Sequence, residues 1–178
     1  MVLLCLTSFC YARPDNRTYT EVVDTLAVWI QPKKIKVYVV DDPKAHILKN
    51  AFSIWDSSMR DNLNFIFVNN KEEADISIKY VEQLGGTKLG ITNSSYINIQ
   101  GRIYLHKANI FISKTHPIGS KQSDASLLKT TLHEIGHAIG LLGHSNSIND
   151  IMYYSSASTK NTSPSLRDID TVNKLYGF

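Results

Sequence analysis

The sequence predicts an α+β domain, a twisted mixed β-sheet packed against two helices with a smaller C-terminal lobe that ends in a third. Three observations predict it. The order of patterned segments is strand, helix, several strands, helix, irregular stretch, helix, which segregates the elements rather than alternating them. The chain has 178 residues, enough for one domain with its own core. Its composition, 43% hydrophobic and 20% charged, is that of an ordinary soluble globular protein.

Thr18 to Ile30 reads as a short helix with Val22, Val23 and Leu26 on one side, stopped by Pro32. Ile35 to Val40 is rich in β-branched residues and reads as a strand. Asp41-Asp42-Pro43 supplies a helix start. From Lys44 to Met59, Ile47, Leu48, Ala51, Ile54 and Trp55 recur at spacings of three and four, which defines an amphipathic helix. Leu63 to Val68 and Ala74 to Tyr80 are strand candidates, the latter with strict alternation. Between Gly90 and Ser113 three further short strands are expected: Tyr96 to Ile99, Arg102 to Leu105 and Ala108 to Ile112. Ser123 or Asp124 caps a long helix running to about Gly140. Ser145 to Pro164 is rich in Ser, Asn and Thr and reads as irregular. Pro164 and Ser165 open a last helix, with Leu166, Ile169, Val172 and Leu175 or Tyr176 turned inward.

Met1 to Ala12 carry no charge and a short apolar run. The run is too short to span a bilayer and has the size of a signal-peptide core, with a cut expected after Ala12. Residues 13–178 then form a single domain, with an N-terminal lobe to about 140 and a C-terminal lobe over 141–178. A lipidated Cys10 is an alternative that Phe9 argues against. Both cysteines, Cys5 and Cys10, lie in this segment, so cleavage would leave neither a disulfide nor a thiolate ligand. A secreted or cell-envelope location follows as the expectation. The formal charge of +3 is slight and its lysines and arginines are scattered, which excludes a basic nucleic-acid patch. A monomer is the default, without a stable membrane span.

The chemistry lies in His133-Glu134-Ile135-Gly136-His137, followed by Gly140 and His144. Residues four apart share a helix face, so His133 and His137 can aim two imidazoles at one zinc ion. Glu134 is turned away around the helix and can reach a water on that ion without ligating it. Zinc lowers the pKa of a coordinated water from about 15.7 toward 7. Glu134 is expected to take the proton and return it to the leaving amine. Gly140 can end the helix in a left-handed conformation and bring His144 back as third ligand. No glutamate follows Glu134, and Asp150, Asp168 and Asp170 rank below His144 for that place.

The run from Leu132 to Leu141, with Asp150-Ile151-Met152-Tyr153 downstream, resembles the metzincin metalloproteases and most of all bacterial matrixin-type members. Weaker likeness extends over residues 25–178, through Ala51 to Trp55, Ala74 to Ile76 and Asp168 to Gly177. The resemblance implies a zincin-like catalytic domain, one catalytic zinc per chain, endopeptidase activity on protein or peptide substrates and a hydrophobic pocket beside the site. It places Met152 in a tight turn beneath the metal and residues 155–162 along one pocket wall. It leaves room for structural calcium, for which the sequence names no ligands. Two departures stand out. The family's third histidine falls where this chain has Gly143, so His144 comes one place late. Tyr154 follows Met152 by two, as in astacins and serralysins, which implies a stabiliser of the developing oxyanion. Two other readings compete: a narrow zinc amidase acting on cell-wall peptide, and a catalytically inactive zinc-stabilised binding module.

Overall fold

The computed structural model describes residues 27–156 and 158–178. Five strands form one mixed sheet: β1 (Ile35–Val39), β2 (Phe65–Phe67), β3 (Ile76–Val81), β4 (Gly90–Ile99) and β5 (Arg102–Ser113). Their spatial order is β2-β1-β3-β5-β4. The pairs β1/β2, β1/β3 and β3/β5 are parallel, and only the β4/β5 hairpin is antiparallel. Three helices accompany the sheet: α1 (Ala45–Met59), α2 (Asp124–Ala138) and α3 (Leu166–Tyr176). α1 packs on β1 and β2, α2 packs on β4 and β5, and the two helices pack against each other. No helix among the described residues is long and apolar enough to cross a membrane.

The expected strand and helix positions hold with two differences of organisation. Residues 90–113 form two long strands in place of three short ones. Gln100 (φ 52°) and Gly101 (φ 85°) are both left-handed, which makes the tight two-residue turn whose twist suits a hairpin. Asn98 accepts the Gly101 N–H at 2.9 Å, and a bulge at Ser95/Tyr96 absorbs the register shift. Polar residues inside the strands masked this continuity. The second difference concerns the expected helix over 18–30. Residues 18–26 lie outside the described ones, and 27–30 are not helical. Ala27, Val28 and Trp29 are buried in succession, as a one-faced helix could not achieve. Val28 instead bridges Tyr104 in parallel, and its carbonyl accepts the Leu105 N–H at 3.0 Å.

The core sits between sheet and helices. Trp55 and Phe52 of α1 are fully buried with Leu48, Ile76, Ile110, Ile112 and Leu132. Two tryptophans also tie α2 down through their ring N–H groups. Trp55 donates to the Leu132 carbonyl at 2.9 Å, and Trp29 donates to the Ala138 carbonyl at 3.0 Å. The Tyr176 hydroxyl donates to the Ile139 carbonyl at 2.9 Å. The last two bonds satisfy carbonyls that a helix end leaves without intrahelical partners.

The described residues of the segment from 141 to 165 form no helix or strand. α3 then begins with a capping box between Ser165 and Asp168. Its inward side is Asp168, Thr171, Val172 and Leu175. Leu166, expected to face inward, is 80% exposed, because it stands in the first turn beyond the edge of the core.

Candidate metal centre

α2 carries the site. Ser123 caps it, accepting the Ser126 N–H. Its second half is buried almost all round, from Thr130 to Gly136, so polar groups there need partners or a purpose. The helix closes in a Schellman motif. The Leu141 N–H reaches the Gly136 carbonyl at 3.0 Å, and the Gly140 N–H reaches the His137 carbonyl at 3.1 Å. Gly140 has φ 107°, and a Cβ there would lie 2.7 Å from the Ala27 carbonyl oxygen. Glycine is required on both counts.

The reversal brings His144 to His133 and His137. Their ligand atoms all lie within 4.8 Å of one another. The His133 and His144 rings stack at 5.1 Å, and His137 stands edge-on to each at 4.8 and 5.0 Å. The one-residue delay of His144 does not keep it out. Among the described residues this is the only cluster of three or more groups of the metal-binding kinds. His46, His106 and His116 stand apart from it, as do Asp150, Asp168 and Asp170.

The donor set fits zinc. His133 Nδ1 lies 2.9 Å from the Ile151 carbonyl and His137 Nδ1 lies 2.6 Å from the Leu141 carbonyl. A carbonyl only accepts, so each ring places its proton on Nδ1 and keeps the Nε2 lone pair for an ion. Burial holds the His133 and His137 imidazoles below the usual range. Burial, with the charge of His137, pushes His144 down to about 4. All three are therefore neutral at pH 7, as ligation needs.

Glu134 is 6% exposed and lies beside the cluster. Its Oε2 accepts the Thr92 hydroxyl at 2.6 Å, and that hydroxyl also stands 3.0 Å from the Glu134 backbone carbonyl. Burial raises the carboxyl to about 7, against the lowering effects of Thr92 and the Lys88 charge. Gly90 of β4 stands directly over it, where a Cβ would come within 2.5 Å of Glu134 Cγ. Gly136 plays the matching part beneath the helix. A Cβ there would fall 2.2 Å from Met152 Sδ, so the fully buried Met152 seats directly against α2. Asp168 fixes this turn from α3, accepting the Ile151 N–H at 2.8 Å and the Met152 N–H at 3.4 Å.

A cleft of about 410 Å³ opens on the cluster, with Lys88 to Thr92 on one side and Tyr154 to Ser156 on the other. Of the described residues in the expected wall over 155–162, Ser155 and Ser156 line it. Tyr154 is 59% exposed and its ring lies 4.3 Å from that of Tyr153. Thr92, Gly90, Lys88 and Arg167 went unremarked in the sequence. Only Gly90 carried a local signal there, a glycine opening a strand.

The family model described as Matrixin matches residues 22–177, and the chain belongs to that family. Metalloendoproteinase 1-MMP of Arabidopsis thaliana is 29% identical over 161 residues, covering 86% of this chain and 43% of that relative. Metalloendoproteinase 1 of Glycine max is 29% identical over 147 residues, covering 78% of this chain and 47% of that relative. The chain thus spans less than half the length of these two proteins. Its fold is similar to that of myroilysin, with a TM-score of 0.54 at 17% identity over 85% of this chain and 96% of the other. The family implies a catalytic zinc.

Proposed function

We propose that this chain is a secreted zinc-dependent endopeptidase in which His133, His137 and His144 hold the ion and Glu134 is the general base. The observation that carries the reading is the pairing of three neutral imidazoles with a buried carboxylate at the floor of an open cleft. Zinc held there supplies Lewis acidity toward water and the scissile carbonyl. Glu134, raised by burial to about 7, is poised to take a proton near neutral pH and to give it to the departing amine nitrogen. Thr92 holds Oε2 and leaves Oε1 for that transfer. The missing side chain of Gly90 leaves the room that the Glu134 side chain occupies. Tyr154, on the cleft wall, offers its hydroxyl to the oxyanion. A purely structural zinc site has no use for a buried base, which weighs against a binding module. The uncharged apolar stretch of Met1 to Ala12 supports export.

Zinc content and casein cleavage of the full chain and its Glu134→Ala variant test this. One zinc per chain in both, with the variant slower by about 10²–10⁴-fold, is expected. Full activity in the variant would remove Glu134 from its role. Zinc without cleavage of any protein by wild type would favour a narrow amidase or a binding module. Tyr154→Phe is expected to lower kcat more than it changes KM, and unchanged turnover would end its assignment.

A further inference from the structure

Behind the metal centre lies a charged network that the proposed chemistry does not use. Asp150 is buried, its side chain 5% exposed. It pairs with Arg167 of α3, whose Nε lies 2.6 Å from Asp150 Oδ2 and whose Nη2 reaches the same oxygen. The Ser165 hydroxyl donates to Asp150 Oδ1 at 2.8 Å. The Ser145 hydroxyl donates to Asp150 Oδ2 while accepting Arg167 Nη2 and the Ser147 N–H at 2.9 Å. Ser145 directly follows His144. Its N–H donates to the Met152 carbonyl at 2.7 Å, and its carbonyl accepts the Tyr154 N–H at 3.3 Å. Asp150 directly precedes Ile151, whose carbonyl orients His133.

We propose that the Arg167–Asp150 pair is a positioning latch for the metal centre, setting His144 through Ser145 and His133 through Ile151. His133 and His137 are spaced by the helix itself, whereas His144 hangs on a loop that arrives one residue late. Such a loop needs an external constraint, and the Ser145 hydroxyl, held by both members of the pair, supplies it. Without Arg167, Asp150 becomes a buried carboxylate with no cation, facing the charge of nearby Asp168. It would then turn toward water and release Ser145. Groups that orient ligands from behind typically contribute about 10–100-fold in metal affinity.

This inference rests on the zinc reading, and its test separates the two. Zinc affinity is measured by competition with a chromogenic chelator, on the full chain and on Arg167→Gln, Asp150→Asn and the double variant. The visible spectrum of the cobalt(II) form and the melting temperature of the metal-free protein are recorded alongside. Each single variant is expected to bind zinc about 10–100-fold more weakly, with altered cobalt bands. The double variant is expected to be no worse than the poorer single one, since the pair acts as a unit. If Arg167→Gln does not fold, Arg167→Lys decides. An ammonium cannot serve Asp150 and Ser145 as the guanidinium fork does, so a smaller loss of affinity with shifted bands is expected. Affinity within twofold of wild type and unchanged bands, even with a lowered melting temperature, would overturn the latch and leave a merely structural ion pair. Failure of the wild-type chain itself to bind zinc would instead overturn the metal centre.

Discussion

The two halves of the molecule are held together by different means. The sheet half, with α1 and α2, rests on apolar burial: Phe52, Trp55, Leu63, Ile76, Ile110 and Leu132 are inaccessible to solvent. The segment from 141 to 165 adds Leu141, Ile151 and Met152 to that core and holds the rest of its path by polar bonds. The Thr159 hydroxyl reaches the Asp150 carbonyl at 2.9 Å, Lys129 Nζ reaches the Thr159 carbonyl at 2.6 Å, and the Lys160 N–H reaches the Ile148 carbonyl at 3.1 Å. The metal centre straddles the two, with two histidines on the helix and one on the loop. Apolar burial is non-directional and tolerates shifts, whereas a hydrogen-bonded loop has one geometry or none. The helix therefore sets the spacing of His133 and His137, and the directional bonds of the loop set His144.

The largest break in this contrast is expected from Trp55→Ala, which both opens a cavity and strips the Leu132 carbonyl of its indole. A loss of about 3–5 kcal/mol is expected in urea unfolding of the metal-free protein. A loss below about 1 kcal/mol would mean that the sheet half does not depend on this core. Gly136→Ala strikes where the halves meet, since its methyl group falls on Met152 Sδ. Overpacking there should cost about 1–3 kcal/mol and displace the methionine turn. Retained stability with unchanged zinc affinity would show that the junction yields freely. The smallest effect is expected on the surface of the sheet half, where Asp42 accepts Lys114 Nζ at 2.8 Å. Burial alone would raise the Asp42 carboxyl, but Lys114 and the Lys44 N–H outweigh it and hold it below the usual range. A depressed carboxylate stabilises above its unfolded pKa of about 3.9 and loses that contribution as pH falls through the folded value. Asp42→Asn should therefore cost less than about 1 kcal/mol at pH 7 and progressively less as pH falls through the folded value. A cost that does not shrink with falling pH would point to the Lys44 N–H bond rather than to charge.

What could be read from the sequence follows the same division. His133, Glu134, His137, Gly140 and the helix that holds them were legible because their relation is local, set by helical spacing and one glycine. His144 was legible as a residue although its geometry was not, since the added residue is absorbed by loop bonds that no local pattern encodes. Thr92 stands 42 residues from the carboxylate it touches, and Trp55 stands 77 residues from the carbonyl it serves. Arg167 went unread, and Asp150 was weighed only as a lesser metal ligand, because their pairing needs α3 to fold back across 17 residues. The hairpin over 90–113 was split into three because His106-Lys107 interrupts the apolar runs of β5, and the first half of β4 went unread because Asn93, Ser94 and Ser95 resemble turn residues. Their side chains sit on a half-covered strand where polar groups cost little.

Trp29 and Tyr176 meet at one spot. The Trp29 N–H lies 3.4 Å from the Tyr176 hydroxyl, and the two rings serve the adjacent carbonyls of Ala138 and Ile139 at the end of α2. The described fold is in this sense nearly a closed loop, with its outermost segments side by side. A chain re-joined by a short linker from Phe178 to Ala27, and opened at the exposed Gln100-Gly101 turn, would keep the contacts that the described residues make around the cleft. The catalytic helix would become an early element of such a permuted chain, with the β4 wall that overhangs Glu134 arriving last.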